Sequence, residues 1–207
     1  FGRTGPWKDR VSYGQTLQAW SGFTDLTGFP EFKPSGPASA YSDAVGGMTG
    51  AQAVLLALIQ RAQTGRGQWI DVSQMEAMSS LLGPLVLELS TNNTDVQRTG
   101  NREHHGLGAP HGVYQCEGDD RWLAITVFSD SEWEAFSGAL GSPEWTKYDR
   151  FATVASRLKH ADELDQLVGS WTGDQIAEDA MHLLQMAGIS SGVVQTGKDL
   201  AENDLHL

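Results

Sequence analysis

The sequence has few of the features that mark several large classes of protein. Cys116 is the only cysteine in 207 residues, which excludes an intrachain disulfide framework and a cysteine-rich metal centre. Lysine and arginine number 14 against 26 aspartate and glutamate residues, a formal net charge of -12. Because so acidic a chain repels polyanions, we expect no nucleic-acid partner. The longest apolar run, residues 53–59, is far shorter than the roughly 20 residues of a membrane helix, so no membrane partner is expected.

Common binding and catalytic fingerprints are also missing. The chain has no Gly-x-Gly-x-x-Gly pattern, the fingerprint of dinucleotide-binding domains. The Thr-Gly-Arg-Gly segment at 64–67 lacks the Gly-Lys-Ser/Thr end of a phosphate-binding loop. His104, His105 and His111 lie close together in sequence, but their spacing fits no standard ligand pattern, so no metal site is predicted.

The remaining composition is that of an ordinary globular protein, 40% hydrophobic and 19% charged. With one cysteine, a reducing cytoplasm is the expected compartment. The first residues have the glycines and proline of a loop inside a protein, and residues 199–207 stop within a predicted helix. We therefore expect an internal stretch of a longer protein.

The first half of the chain is predicted to combine helices with one short strand. A short helical pattern covers 13–23, and apolar residues spaced by three and four predict a long helix that stops at 64–67. Residues 69–72 predict a strand. The Ser-x-x-Glu spacing at Ser73 predicts a capping box that opens a second helix, reaching about Leu89. Helix, strand and helix in this order indicate layered α/β packing.

A polar, glycine-containing loop at 90–111 is predicted to separate two domains, residues 1–97 and 98–207. Beyond the loop, residues 112–116 and 121–127 flank a turn and predict a β-hairpin.

The rest of the second domain is predicted to be mainly helical. A capping box at Ser129 opens one helix, and two more are predicted at 156–171 and 173–187, with Thr172 as the N-cap of the last. Residues 193–194 are placed in a short strand. The second domain is therefore predicted to have a small α+β fold.

Asp43 is the first candidate for chemistry, because it precedes the long helix and its small residues. Aspartate is a favoured N-cap, and that role alone explains the residue. The same position suits a nucleophile, since a helix N-terminus stabilises a carboxylate and an ionised carboxylate attacks a thioester carbonyl. The residue by itself leaves both interpretations open.

The glycine-containing segment 100–112 is the second candidate. Its glycines allow backbone N–H groups to approach a developing oxyanion. A flexible connection between two domains explains the same composition more simply.

Several short motifs occur in one order along the chain and resemble those of the class III CoA-transferases, the family of the formyl-CoA and carnitine CoA-transferases. They are Phe-Gly-x-Thr-Gly-Pro-Trp at 1–7, Tyr-Ser-Asp-Ala-Val-Gly-Gly at 41–47, Thr-Gly-Arg-Gly-Gln-Trp-Ile-Asp-Val-Ser at 64–73, Gly-Asn-Arg at 100–102 and Ala-Pro-His-Gly-Val-Tyr at 109–114. Arg-Phe-Ala-Thr at 150–153 and Ala-Gly-Ile at 187–189 match the same pattern. Each motif is weak alone, but the ordered set is specific and covers nearly the whole chain.

The resemblance implies a fold and an assembly. The expected fold is part of a large Rossmann-like α/β domain followed by a small α+β domain. The expected assembly is an interlocked homodimer. The resemblance also implies an acyl-CoA and a small carboxylic acid as substrates, with no tightly bound cofactor.

The resemblance also assigns roles to individual residues. Asp43 falls on the family's nucleophile, which forms an aspartyl anhydride and then an aspartyl-CoA thioester. Tyr13 falls on an active-site tyrosine near CoA, although Gly14 replaces the acid found beside it. Gly106 and Gly108 fall in the family's glycine-rich loop, and Arg102 belongs to the Gly-Asn-Arg motif, so all three are expected to contact substrate or CoA.

Two other functions stay open. The α-methylacyl-CoA racemases resemble this chain in architecture and share the aspartate, but pair it with a histidine that would fall near position 13. Here Tyr13 occupies that position, and no histidine occurs before His104. The second alternative is a non-catalytic acyl-CoA-binding fragment. Whether the parent protein is a single unit or a tandem of two is also open.

Overall fold

The computed structural model describes residues 1–102 and 106–202. The chain forms two compact units, Phe1–Gly100 and Asn101–Leu207. This division lies in the polar loop, three residues beyond the boundary that was predicted after residue 97.

The first unit is built from helices over the residues that the structure describes. They are α1 Gly14–Trp20, α2 Tyr41–Thr64, α3 Gln74–Ser80 and α4 Gly83–Asn92. The stop predicted for the long helix is confirmed: Gly65 takes a left-handed conformation with φ 70°, and its N–H donates to the carbonyl of Arg61 at 2.8 Å. Glycine adopts this conformation without the steric cost that a Cβ brings.

Two predictions for the first unit are wrong. Residues 69–72 do not form a strand, because a strand needs a partner for its N–H and C=O groups and no described residue of this unit lies in one. The helix predicted to run from Ser73 to about Leu89 is two helices, α3 and α4. Pro84 forces the break, since it has no N–H to donate and its ring clashes with the carbonyl four residues earlier.

The long helix α2 buries little of its surface within this unit. Only Ser42 and Gly46 are buried, whereas many of its apolar side chains are exposed. By length and composition α2 also meets the criteria for a membrane span, with a mean hydropathy of 1.3 in its most apolar window. That is weak evidence for a membrane, because a helix apolar on all sides is equally typical of the core of a soluble protein.

The second unit contains a three-stranded antiparallel sheet and most of the described core. The strands are β1 His111–Gln115, β2 Trp122–Thr126 and β3 Ser190–Val193, in the order β1-β2-β3. Val113 pairs with Ala124, which pairs on its other side with Gly192. The predicted hairpin is therefore confirmed, and the mixture of helix and strand agrees with the predicted class. A parallel Rossmann-like sheet is not among the described residues.

The other elements described in this unit are helices and two short 3-10 turns. They are α5 Asp130–Ala139, α6 Val154–Lys159, α7 Ala161–Gly173, α8 Ala177–Met186 and α9 Gly197–Glu202, with 3-10 turns at Glu144–Lys147 and Asp149–Phe151. Ser129 caps α5 as predicted: its Oγ accepts from the Glu132 N–H at 3.1 Å, and the Glu132 carboxylate accepts from the Phe128 N–H at 2.7 Å.

The boundaries predicted for the later helices are wrong. The stretch expected as one helix at 156–171 is interrupted at His160, which separates α6 from α7. Thr172 is not an N-cap but lies inside α7, fully buried, and its hydroxyl donates to the carbonyl of Gln115 at 2.8 Å. This bond to β1 uses the hydroxyl that the sequence offers for capping, and α8 begins only at Ala177.

The core of the second unit lies between the sheet and these helices. Its fully buried members include Leu123, Phe136, Phe151, Leu164 and Leu184. Burying each such side chain contributes about 1.5–3 kcal/mol relative to leaving it exposed. The core thus gives a rigid support to the segment that precedes β1.

Candidate active site

Asp43 lies in the first turn of α2, with its side chain exposed. The interpretation of Asp43 as the N-cap is wrong, because Ala40 occupies that position and Asp43 is the third residue of the helix. Its own N–H donates to the carbonyl of Ala40 at 2.9 Å. The first turn of a helix carries the positive end of the helix dipole, which stabilises an ionised carboxylate.

Side chains and backbone of neighbouring elements fix the start of α2. The amide oxygen of Gln18, which is 1% exposed, accepts from the Tyr41 N–H at 2.9 Å. The hydroxyl of Ser42, fully buried, donates to the carbonyl of Gly14 at 2.9 Å. Since Ala40 has no side chain able to cap the helix, these two hydrogen bonds between α1 and α2 hold the turn that carries Asp43.

Gly14 lies directly beside the Asp43 carboxylate. A Cβ at Gly14 would be 2.5 Å from Ala40 Cβ and 3.2 Å from Asp43 Oδ2, so only glycine fits between the two helices. Tyr13, the residue before it, is 78% exposed. The structure thus places the backbone of Gly14, the neighbour of Tyr13 in sequence, against the predicted nucleophile. The role of Tyr13 in CoA binding stays a prediction.

Gln74, the first residue of α3, contacts the other oxygen of the same carboxylate. Its Nε2 donates to Asp43 Oδ1 at 3.2 Å. The Gln74 side chain lies across Gly46, where a Cβ would be 2.5 Å from Gln74 Cγ. The two carboxylate oxygens therefore have different surroundings: an amide donor at Oδ1 and a glycine backbone at Oδ2.

Gln74 is a site residue that the sequence analysis missed. The Ser-x-x-Glu spacing around it marks a helix start and carries no sign of a partner 31 residues earlier. The glycine at position 46 is the only trace of this contact in the sequence, and small residues near a helix start have many causes.

Arg102, in the second unit, is held by two carboxylates of α7. Its guanidinium contacts Asp162 and Asp165, each at 2.7 Å, and Asp165 also accepts from the Tyr114 hydroxyl at 2.7 Å. Burial opposes the charged form of Arg102, but hydrogen bonds to Asp162 and Asp165 outweigh it and raise the pKa of the guanidinium. A cavity of about 130 Å³ lies beside this network, lined in part by Gly108 and His111. Contact of Arg102 with CoA stays a prediction.

The two predicted glycines of this unit have different surroundings. Gly106 is exposed, with φ 65°, a conformation that favours glycine. Gly108 is buried, and a Cβ there would be 2.6 Å from the carbonyl oxygen of Val127. Close packing on the strand end explains why Gly108 is glycine. Their contacts with CoA stay predictions.

A buried arginine holds the segment that follows Gly108. Arg157, fully buried, donates from Nε to the carbonyl of Ala109 at 2.8 Å and from its terminal nitrogens to the carbonyls of Phe151 and Ser129. It also pairs with Asp130 at 3.1 Å. Burial lowers the pKa of Arg157, against the opposing effect of Asp130. This network fixes the path of the chain into β1.

No group of three potential metal ligands occurs among residues 1–102 and 106–202. His104 and His105 lie outside the described residues. Around Asp43 the structure brings together its carboxylate, the side-chain amide of Gln74 and the backbone of Gly14.

A known structure has the same fold over the whole chain. A CAIB/BAIF family protein from Brucella suis superposes with a TM-score of 0.89 and 29% identity, covering 100% of this chain and 53% of that protein.

Curated relatives support the same grouping. A probable CoA-transferase of Mycobacterium tuberculosis is 33% identical in an alignment of 210 positions that covers 98% of this chain and 26% of that protein. A succinyl-CoA–D-citramalate CoA-transferase of Chloroflexus aurantiacus is 30% identical over 200 residues, which are 97% of this chain and 49% of that protein. The chain thus spans a quarter to a half of these relatives.

The sequence profile of CoA-transferase family III matches residues 1–206, nearly the whole chain. The ordered motifs, the fold and the relatives agree with that match. This chain belongs to CoA-transferase family III.

Proposed function

We propose that this chain carries the nucleophile of a CoA-transferase that moves CoA from an acyl-CoA to a carboxylic acid. The observation that supports it most directly is the Asp43 carboxylate. It is exposed on the first turn of α2, between the backbone of Gly14 and the amide of Gln74. A carboxylate stabilised by a helix N-terminus and open on one side suits attack on a thioester.

In the proposed mechanism Asp43 alternates between nucleophile and electrophile. Asp43 Oδ2 attacks the thioester carbonyl of the donor, the C–S bond breaks, and CoA thiolate departs. The donor acyl group is then joined to Asp43 in a mixed anhydride. The thiolate then attacks Asp43 Cγ, the Cγ–Oδ2 bond breaks, and the donor acid departs, leaving an aspartyl-CoA thioester. The acceptor carboxylate attacks Cγ and expels the thiolate. Finally the thiolate attacks the acceptor carbonyl, which releases the new acyl-CoA and the Asp43 carboxylate.

The racemase alternative requires a second acid–base group facing Asp43. Moving an α-proton at neutral pH needs a group whose pKa lies near 7, usually histidine. The segment beside Asp43 has Tyr13 at the position where the racemases have a histidine. The transferase reaction needs no such second base, because its steps exchange carboxylates and thiolates.

We propose that the complete protein has a Rossmann-like large domain and forms an interlocked homodimer. The exposed apolar side chains of α2 support this, because surface of that kind is normally covered by other parts of a protein or by a partner. Among them are Met48, Leu55, Leu56 and Ile59, each more than half exposed. We propose the cytoplasm as the compartment, because a chain with one cysteine forms no internal disulfide and suits a reducing environment.

Names of relatives suggest which acids to test. One relative is named for succinyl-CoA and D-citramalate, and others for L-malate, glutarate and oxalate. We propose short-chain acids of this kind as acceptors, with succinyl-CoA and formyl-CoA as the first donors.

The test is CoA exchange by the full-length protein. Each donor would be incubated with each acceptor in deuterated water, and the acyl-CoA products followed by mass spectrometry, with Asp43→Asn as control. New acyl-CoA that Asp43→Asn does not form supports the proposal. Deuterium at the α-carbon without exchange of CoA would indicate the racemase reaction. Saturable CoA binding without either reaction would indicate a binding module.

A further inference from the structure

We propose that the Gln74 side-chain amide is a catalytic hydrogen-bond donor that stabilises the oxyanion formed on Asp43 Oδ1 when a nucleophile attacks Asp43 Cγ. This inference rests on the proposed function of Asp43. It gives Gln74 a role in the steps that attack Asp43 Cγ, where the Asp43 side chain itself has no hydrogen-bond donor.

The geometry leaves one orientation for the amide. An ionised carboxylate only accepts hydrogen bonds, so the Gln74 group that faces Asp43 Oδ1 is the N–H₂ end. The 3.2 Å separation of Nε2 and Oδ1 lies at the long end of the usual range for N–H···O bonds.

The backbone of Gln74 is held independently of Asp43. Ser73 caps α3 by accepting from the Glu76 N–H at 3.3 Å, and Ala77 and Met78 anchor the helix in the interior of the first unit. An amide on a fixed helix start acts as a preorganised donor, which needs little reorganisation during reaction.

Gly46 gives the Gln74 side chain its path to Asp43. A Cβ at position 46 would lie 2.5 Å from Gln74 Cγ and 3.0 Å from Nε2. Any larger residue would therefore push the amide off the carboxylate. Gly46 is one turn of α2 beyond Asp43, so the helix presents the carboxylate and the cleft for its donor on one face.

The charge on Oδ1 changes most when Cγ is attacked. In the anhydride and in the aspartyl-CoA thioester, Oδ1 is a neutral carbonyl oxygen. When thiolate or acceptor carboxylate adds to Cγ, the C=O π pair moves onto Oδ1, which becomes an oxyanion until the leaving group departs. A hydrogen bond donated to Oδ1 is therefore stronger in this transition state than in the ground state before it. An interaction of this kind accelerates the step.

In the first step, attack of Asp43 on the donor thioester, the Gln74 hydrogen bond has the opposite effect. When Asp43 attacks the donor, negative charge leaves its carboxylate, so the Gln74 bond weakens. Loss of the amide should leave formation of the acyl anhydride nearly unchanged and slow the later attacks on Cγ, which form the aspartyl-CoA thioester and break it down. A residue that only supports the fold would not separate the two rates in this way.

The experiment uses the aspartyl-CoA adduct of the full-length protein. The adduct is formed with acyl-CoA alone, excess donor is removed, and hydroxylamine is added under native conditions to attack Cγ. Mass spectrometry of the Asp43 peptide gives the rate of breakdown. The first step is measured separately, as the rate at which a thiol reagent captures the CoA thiolate released when acyl-CoA forms the anhydride. Gln74→Leu removes the donor, and Gln97→Leu is the matched control, because it removes a surface Gln-to-Asp bond, to Asp95, in the same unit.

For Gln74→Leu we expect breakdown to slow about 100-fold, at the lower end of the range for loss of one oxyanion donor. Anhydride formation should change less than about 3-fold, and Gln97→Leu should match the wild type in both rates. Equal breakdown rates in the wild type and Gln74→Leu would overturn the role of Gln74 while leaving the Asp43 mechanism intact. Absence of any adduct in the wild type would overturn both.

A second pair of variants guards against misfolding. Gly46→Ala displaces the amide in the wild type but has nothing to displace in Gln74→Ala, which lacks a Cγ. We expect Gly46→Ala to slow breakdown about 10-fold or more in the wild type and less than about 2-fold in Gln74→Ala. Equal effects in both backgrounds would contradict the assignment.

Gln74→Glu adds a readout in pH. Its carboxyl is a poor donor when ionised but donates when protonated, and the protonated fraction grows as pH falls toward the ordinary pKa of glutamate near 4.3. Breakdown in Gln74→Glu should therefore speed up as pH falls from 8 toward 5, relative to Gln74→Leu. The same pH profile in both variants would argue against the donor role.

Discussion

The amide oxygen of Gln18 accepts the Tyr41 N–H at 2.9 Å, so a side chain of α1 caps the helix that carries Asp43. The cap comes from 23 residues away, because Ala40 at the N-cap position has no polar side chain. Asp43 is two residues beyond the capped N–H. The position of the carboxylate thus depends on α1.

Replacing this distant cap should lower both stability and activity. For Gln18→Leu we expect a loss of about 1–2 kcal/mol in the free energy of unfolding, as for other lost helix caps. Chemical denaturation of the full-length protein measures it. Gln15→Leu, on the exposed side of the same helix, is the control and should change stability by less than about 0.5 kcal/mol. Equal losses in the two variants would refute the capping role.

Gly14 should tolerate no side chain. In Gly14→Ala the new Cβ meets Ala40 Cβ at 2.5 Å, so α1 must move away from α2 beside the carboxylate. We expect CoA exchange to fall at least about 10-fold, since small displacements at a reacting group cost that much. Gly50→Ala has no described atom within 4 Å of its Cβ and should keep near-normal exchange rates. Normal exchange by Gly14→Ala would show that the close approach is unimportant.

The start of α2 shows which parts of the site the sequence predicts. Hydrophobic spacing and the Thr-Gly-Arg-Gly stop define the helix, and the resemblance predicts Asp43 as the nucleophile. The contacts of Gln18 and Gln74 with this turn are not predictable in the same way. They depend on how helices distant in sequence pack, and a glutamine has the same local signature whether it caps, donates or faces solvent.

The errors in secondary structure have equally local causes. Residues 69–72 have strand-like composition, but a strand forms only where a partner supplies hydrogen bonds. Pro84 is a visible break inside an otherwise helical pattern, and weighing it more heavily would have separated α3 from α4. Thr172 resembles an N-cap, yet its hydroxyl bonds to β1, a tertiary contact that the sequence does not reveal.

Arg157 should be far more important for stability than an exposed arginine nearby. In Arg157→Met the carbonyls of Ala109, Phe151 and Ser129 lose their donor, and Asp130 loses its cation. We expect a loss of about 3–5 kcal/mol, typical of breaking a buried charged network.

The control for Arg157 is Arg150→Met. Arg150 pairs with Glu163 at 2.6 Å on the surface, where an ion pair contributes about 0–1 kcal/mol. Thermal and denaturant unfolding of both variants compare the two directly. A loss below about 1 kcal/mol in Arg157→Met would contradict the role given to its network.

Tyr114 should make stability depend on alkaline pH. Burial, and then the charge of Asp165, raise the pKa of Tyr114 above its ordinary value. Because the folded state favours the protonated phenol, its contribution is complete below the unfolded pKa near 10 and declines above it, by up to about 1.4 kcal/mol per pH unit. The free energy of unfolding should therefore fall more steeply above pH 10 in the wild type than in Tyr114→Phe. Denaturant titrations between pH 8 and 11 test this, and parallel curves would contradict it.

The most direct test of the central claim is covalent trapping at Asp43 in the full-length protein. The protein would be incubated with each acyl-CoA donor, quenched with hydroxylamine or borohydride, and digested for peptide mass spectrometry. We predict a modified Asp43 that is absent in Asp43→Asn and depends on the donor. If CoA exchange proceeds while Asp43 stays unmodified under every quench, Asp43 is not the nucleophile and the mechanism proposed for this site is wrong.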